Sequence, residues 1–411
     1  MTDEISLDAL DFSALVRPGD RVVWGQGGAE PRALTERLMA QRETIGNLRA
    51  FVGLSLSDAV SPAHAAQVQF QSYCGAGRNR ALAREQVLDI LPCHYGQLAK
   101  ALDPVDVLLL QVAEGPEGFS FSIAAEYLVP LVKSARLVIA EVNEQAPWTH
   151  GECLDPSDID LLVRTSCAPL ELASAPIGEV ERIIARHIGG LVEDGATLQL
   201  GMGSLPEAVL DGLRSHRDLG IHSGAIGDKV AELMEQGVIT NARKTIDPGV
   251  TVAGVLFGGQ GIYRFAHRNP KVQMRSTAYT HALEVLASID RLVTINAAIE
   301  VDLTGQVNAE VAGGTYVGAV GGAMDFMRGA HASRGGLPII ALPATALGGS
   351  QSRIVERLSG PVSTPRADAG IIVTEYGVAD LRGCGLRERA RRMTSIAHPD
   401  FRDALAHSAG L

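Results

Sequence analysis

Two glycine turns are the parts of this sequence best suited to chemistry. The first, Gly201-Met202-Gly203, follows the apolar run 197–200 and precedes a helix that the sequence opens at Pro206. A carbonyl under nucleophilic attack becomes an oxyanion, and preorganised backbone N–H groups stabilise it; one donor changes a rate by roughly 100-fold or more. Glycine keeps side chains out of that approach. The same G-x-G spacing also serves an ordinary strand-to-helix turn, so the motif alone leaves both readings open. The second turn, Gly321-Gly322 within 317–326, lets backbone come close to a ligand and then starts a helix. Asp325 in its first turn suits the helix dipole.

Side chains add further candidates. Glu300 and Asp302 alternate along one strand face. Paired carboxylates can move protons, or they can be satisfied structural groups, the reading preferred here. Glu310, one loop further, is the carboxylate expected in the crevice. His150 and His222 stand at strand-to-turn junctions, and His222 is the expected base. His398 precedes Pro399 as a helix cap. Arg353 closes the polar loop 348–353 and could meet a phosphate, since a guanidinium fork matches its oxygens. There is no G-x-S-x-G elbow to expose a serine nucleophile, and no zinc-ligand spacing.

The elements that must position these groups read as α/β. Residues 197–200 form a strand, 219–222 a short second strand with a sharp turn at Ser223-Gly224, and Asp228 begins a helix. Ligands of open α/β sheets sit beyond the carboxyl ends of the strands, so these two ends imply one crevice. The stretch 25–38, with Gly25-Gln26-Gly27-Gly28 and a helix from Pro31 to Met39, parallels 201–213. Residues 105–112 likewise parallel 291–297, and 135–142 parallel 336–342. The order suggests an internal duplication: two similar open-sheet α/β domains with the active site between them. Near-continuous apolar runs at 107–112 and 370–374 fit parallel strands covered on both faces. Residues 1–18 read as a helical lead-in, 166–175 as a linker, and 177–191 as the helix that begins the second half. The domains are set at 1–170 and 171–411.

Composition removes several classes. The chain has 411 residues, enough for two domains, and 46% apolar content, enough to fill their cores. A net charge of −11 and only 4% aromatic residues argue against nucleic-acid binding. The five cysteines lack C-x-x-C pairing and read as free thiols of a reducing cytosol. No signal peptide or membrane span is evident, so the expected location is cytoplasmic. A dinucleotide enzyme is a weaker alternative, because the glycines at 25–28 lack the full G-x-G-x-x-G spacing.

The succession GMGSLPEAVL, HRDLGIHSGAIGD, GVITNARKTIDPG, INAAIEVDLTGQVNAE, VGAVGGAMDFMRG, ALPATA, VTEYGVADLRG and IAHPDF, with EVNEQAPWTHG earlier, resembles the acetyl-CoA hydrolase/transferase family. That family includes the 4-hydroxybutyrate and acetate CoA-transferases of class I type. The resemblance spans almost the whole chain. It implies a CoA-transferase-like (NagB/RpiA-like) fold, an acyl-CoA substrate and no permanently bound cofactor or metal. It also implies oxyanion or substrate contacts from Gly201, Met202, Gly203, Ser223, Gly224, Gly321 and Gly322, with the Met202 N–H as a donor. The second partner would be a small acid, water or another acyl acceptor, and a homodimer is compatible with it.

One departure bears on mechanism. The family's nucleophilic glutamate directly follows the His-Ser pair, and this chain has Gly224 there. Transfer through a glutamyl-CoA at 224 is then chemically excluded. The expectation is hydrolysis or acyl transfer without that intermediate, aided by His222 or Glu310. The alternatives are a transferase with a relocated carboxylate and a protein that binds acyl-CoA without turnover.

Overall fold

The computed structural model describes residues 3–173 and 176–411. The last two residues of the expected linker lie outside them. Two large sheets carry the fold. In the first, a parallel path runs Leu161–Thr165, Leu137–Asn143, Val107–Gly115, Arg21–Trp24, Leu48–Phe51, Val68–Ser72 and Leu88–Ile90. In the second, the path runs Ile371–Thr374, Leu337–Ala341, Leu292–Ala297, Thr197–Leu200, Gly220–Ile226, Thr251–Leu256 and Val272–Met274, again all parallel. Taken in chain order within each half, the spatial order is the same in both. The three sequence parallels therefore occupy equivalent strands. The last strand of the first sheet ends at Thr165 and the Thr197–Leu200 strand of the second follows, so the two halves are the chain before and after that stretch.

The strands form where apolar residues run without alternation, because both sheet faces are covered. Val107, Leu108, Leu109 and Leu110 are each fully buried, as are Ile339, Ala341, Ile372 and Val373. The strand order reverses between Arg21–Trp24 and Val107–Gly115, and again between Thr197–Leu200 and Leu292–Ala297. Such reversals open a crevice at the carboxyl ends of the strands.

The halves are joined by more than a linker. His150–Gly151 pairs with Val272–Met274 and so extends the second sheet from the first half. The segment before Tyr127 is stitched to the Thr251–Leu256 strand and its surroundings. Ala125 N–H donates to the Gly254 carbonyl at 3.0 Å, Leu256 N–H to Ile123 at 2.9 Å, and Thr277 N–H to Glu126 at 3.2 Å. The glycine loop of the second half is held from the other side, with Gly75 N–H on Gly318 at 3.1 Å and Tyr95 N–H on Gly321 at 3.0 Å.

Several expected elements differ in extent. The lead-in is not one helix: Asp3–Glu4 is an edge strand on Leu161–Thr165, and only Leu7–Ala9 and Phe12–Leu15 are helical. The Ser6 and Asp11 side chains each accept a nearby backbone N–H, which restarts the chain twice. The helix after Pro31 runs Arg32–Ile45, longer than its first apolar stripe suggests. The helix expected at Pro206 starts at Ser204, and the one expected over 177–191 spans Glu179–Gly189. The second strand does not turn at Ser223-Gly224 but continues to Ile226, because Thr251–Leu256 supplies ladder partners along it. Among the described residues no helix is long and apolar enough to cross a membrane.

Asp228 ties two helix starts together. It begins the helix Asp228–Glu235, and its carboxylate accepts the N–H groups of Gly259 at 2.8 Å and Ile262 at 2.7 Å, capping Gln260–Ala266. Asp228→Ala leaves those donors unpaired and is expected to cost about 1–2 kcal/mol, read as a lower urea midpoint at unchanged slope.

Candidate functional site

Two confluent cavities lie where the halves meet. The outer cleft, about 370 Å³, runs along Pro206, Leu210, Val230 and Leu172, with Arg80 and Lys229 on its border. The inner chamber, about 290 Å³, is bounded by Tyr73, Tyr95, Glu126, His281, Phe326 and the Ala319–Ala323 backbone among others. Leu200, Gly201, Met202, Ala225 and Phe257 border both spaces and mark the neck where they adjoin. Arg80 makes no ion pair among the described residues, whereas Lys229 is held by Asp211 at 3.1 Å and Glu232 at 2.8 Å.

The neck is the Gly201-Met202-Gly203 turn. Gly201 N–H is used, donating to Ile295 at 3.1 Å. For the Met202 N–H no acceptor is found among the described residues. Gly203 has φ 113°, a conformation that side chains resist, so glycine here sets the turn that leads into Ser204–Gly212. Gly321 and Gly322 close the chamber opposite and lead into Ala323–Ala332. The turn at Gly25–Gly28 in the first half is filled instead. A Cβ on Gly27 would meet the Phe257 ring at 2.5 Å, and one on Gly28 the Tyr263 hydroxyl at 2.2 Å.

Gly224 lines the chamber, and its missing side chain leaves room for an imidazole. A Cβ built there would lie 3.0–3.1 Å from His281, and one on Gly322 would lie 2.6 Å from His281 Nε2. His281 is wedged between them, 4.5 Å from the Phe326 ring and 5.3 Å from Tyr95 between centroids. Burial, with His222 nearby, pulls its pKa down to about 3. The imidazole is therefore neutral at physiological pH.

The chamber's carboxyl group is Glu126. Its Oε2 accepts from the Tyr95 hydroxyl at 2.7 Å and from Gln26 Nε2 at 3.0 Å. The Tyr73 hydroxyl holds Gln26 Oε1 at 2.8 Å. Glu126 Oε1 is buried and has no partner among the described residues. Burial drives the carboxyl up to about 7, with Tyr95 and Gln26 opposing. No lysine or arginine is among the chamber-lining residues. Sequence reasoning missed this residue. The available signal was that Glu126 is the single charged residue in the stretch 119–132.

The residues expected to do chemistry fall unevenly. Gly201, Met202, Gly224, Gly321 and Gly322 meet at the chamber, and Gly203 borders the outer cleft. His222 does not border either cavity. It shares the Gly224 face of its strand but lies one pleat deeper, fully buried, with Nε2 3.2 Å from the Thr280 carbonyl. Burial first, and then the Lys244 charge, hold its pKa at about 3. Ser223 points away and donates to the Leu200 carbonyl at 3.2 Å, tying two strands together. Glu310 also lies outside the lining: Tyr316 at 2.8 Å and Ser363 at 2.6 Å occupy its two oxygens. Glu300 accepts from Asn308, Ser359 and Gly360, and Asp302 closes its own turn at Thr304 and Gln306, so both are structural. Arg353 borders neither cavity; its guanidinium is half-buried, which lowers its pKa. His398 caps Pro399–Ser408 by accepting the Asp400 N–H at 3.3 Å. Among the described residues no group of three His, Cys, Asp or Glu side chains could hold a metal ion.

Comparison with known proteins agrees with this architecture. Residues 258–409 match the family described as acetyl-CoA hydrolase/transferase C-terminal domain. The chain is 39% identical over 397 residues to the 4-hydroxybutyrate coenzyme A transferase of Clostridium kluyveri, covering 94% of this chain and 92% of that one. Among solved structures, RipA from Yersinia pestis superposes with a TM-score of 0.91 at 32% identity, covering 99% and 96%. The 4-hydroxybutyrate CoA-transferase of Porphyromonas gingivalis gives 0.85 at 33% identity, covering 98% and 96%.

Two outcomes follow from the chamber. Gly224→Glu alone is expected to lower the melting temperature, because its Cβ crowds His281; adding His281→Ala should recover much of the loss, a coupling that a double-mutant cycle measures. Glu126 titrates at about 7 when folded against an unfolded value near 4.5. Its folded pKa is raised, so its stabilising contribution is present below pH 4.5 and is lost as pH rises through 7. Glu126→Gln should therefore gain stability relative to the parent between pH 4.5 and 8, on the order of 2–3 kcal/mol, read by denaturant midpoints.

Proposed function

The chain belongs to the acetyl-CoA hydrolase/transferase family, and from that premise we propose that it cleaves an acyl-CoA thioester by direct attack of water or another acceptor, with no enzyme–CoA thioester at residue 224. The observation that supports this most is the neck. It lies where the outer cleft adjoins the chamber, and it carries the Met202 N–H without an acceptor among the described residues. A thioester held there has its carbonyl oxygen at the turn, its acyl group in the chamber and its CoA arm in the cleft. Arg80 on the cleft border suits a CoA phosphate better than the half-buried Arg353.

Gly224 offers no atom to trap CoA, and its neighbour His281 occupies the space beside it. On this reading the attacking group comes from solvent or a second substrate. The oxyanion that forms is stabilised at the moment of reaction by a donor already in place, which is where such stabilisation acts on rate.

The test is acyl-CoA treatment with borohydride followed by mass spectrometry, together with an assay of free thiol over a panel of acyl-CoAs. Thiol release without a reduced carboxylate is expected. A reduced glutamate anywhere in the chain would show covalent transfer and defeat this reading; binding with no release across the panel would leave a binding protein. Ala225→Phe fills the neck, and acyl-CoA should then give almost none of the thermal stabilisation it gives the parent.

A further inference from the structure

We propose that Glu126 is the general base for this reaction, taking the proton from the water that attacks the thioester. The assignment rests on the thioester-cleavage reading above and adds the group that performs it.

Four observations carry it. Glu126 lines the chamber beside the neck, and it is 1% exposed. One carboxyl oxygen is fixed by two donors, Tyr95 and Gln26, while the other is buried and unpartnered. A carboxylate buried without a cation is costly, and an unpaired oxygen makes it more so, unless a ligand completes the site. The backbone places it firmly. Ala125 N–H donates to Gly254, and Thr277 N–H donates to the carbonyl of Glu126 itself. A Cβ built on Gly254 would lie 2.8 Å from the Gly224 carbonyl and 3.5 Å from Glu126 Cβ. Glu126 and Gly224 thus flank the same glycine, one from each half of the chain.

The groups facing Glu126 leave its ionisation to burial. Tyr73, Tyr95 and Tyr127 are buried, with pKa values pushed well up, and His281 is neutral. A carboxyl that ionises near neutrality is matched to moving a proton at working pH. In the step itself, Glu126 Oε1 takes a proton as the water oxygen bonds to the thioester carbon. The carbonyl electron pair moves onto oxygen, held by the Met202 N–H. The carbonyl then re-forms, the carbon–sulfur bond breaks, and the departing thiolate takes the proton back from Glu126. The products are a carboxylic acid and free CoA, and the carboxylate is regenerated.

The experiment measures thiol release from acetyl-CoA and butyryl-CoA against pH in the parent, Glu126→Gln, Glu126→Asp and Tyr95→Phe, with CoA-dependent thermal shift as the measure of binding. Glu126→Gln should lose about 100-fold or more in kcat and the ionisation near pH 7, yet keep its thermal shift. Tyr95→Phe removes a donor to the carboxylate, so the rate limb should move to higher pH. That shift tests the assignment even if Glu126 variants fold poorly, because a merely structural carboxyl would not produce it. Single turnover in ¹⁸O-water should label the released acid and leave the Glu126 peptide unlabelled. Glu126→Gln at near-parent rate, an unmoved limb in Tyr95→Phe, or label in the Glu126 peptide would each overturn the assignment, the last by making Glu126 a nucleophile. A parent that binds CoA yet releases thiol from neither substrate would instead sink the thioester-cleavage reading and the assignment with it.

Discussion

The structure depends on a backbone seam between its halves. Residues 123–126 of the first half lie against the Thr251–Leu256 strand of the second, with N–H groups donated in both directions. Gly254 sits at this seam: a Cβ there would press on the Gly224 carbonyl of the neighbouring strand at 2.8 Å and would reach Glu126 Cβ across the seam at 3.5 Å. Paired backbone groups satisfy their hydrogen bonds in a place closed to water. A chamber wall built this way can place a carboxyl group with little slack, and the cost of leaving that group unpaired is borne by the surrounding fold.

Duplication explains the plan of the molecule, and filling explains its asymmetry. Both halves have the same strand order, and both have a glycine turn at the point where that order reverses. In the first half, Phe257 and Tyr263 of the other half occupy the space over Gly27 and Gly28. In the second, the turn stays open and forms the neck. One turn is a socket for packing and the other borders open space. Gln26 is common to both uses: it belongs to the filled turn, yet its amide reaches Glu126 in the chamber.

Much of this was legible because it is local. Apolar runs ending in glycine mark parallel strands and their turns, and the three repeated patterns fall on equivalent strands of the two sheets. The extent of the Gly220–Ile226 strand was not legible, because its pairing partner lies a stretch of chain away. That error put His222 at a junction, when it sits mid-strand beneath the Thr277–Thr280 turn. Glu310 was plausible by sequence position, but Tyr316 and Ser363, which satisfy it, converge only in three dimensions. Glu126 carried no motif at all. Its placement in the chamber follows from contacts with Gln26, Tyr95 and Thr277, distant in the chain, which no pattern within 119–132 encodes.

The seam also fixes an order of assembly. The strands of each sheet are supplied almost entirely by one half, but the chamber needs residues 123–126 of the first half to meet 251–277 of the second. His150–Gly151 waits in the same way for Val272–Met274. During synthesis the first half can complete its own sheet well before those partners exist, since domains tend to fold as units as they emerge. Until then the carboxyl of Glu126 has no Gly224 or Gly254 beside it. The chamber is therefore among the last parts of the molecule to form, and long-range closure of this kind slows folding.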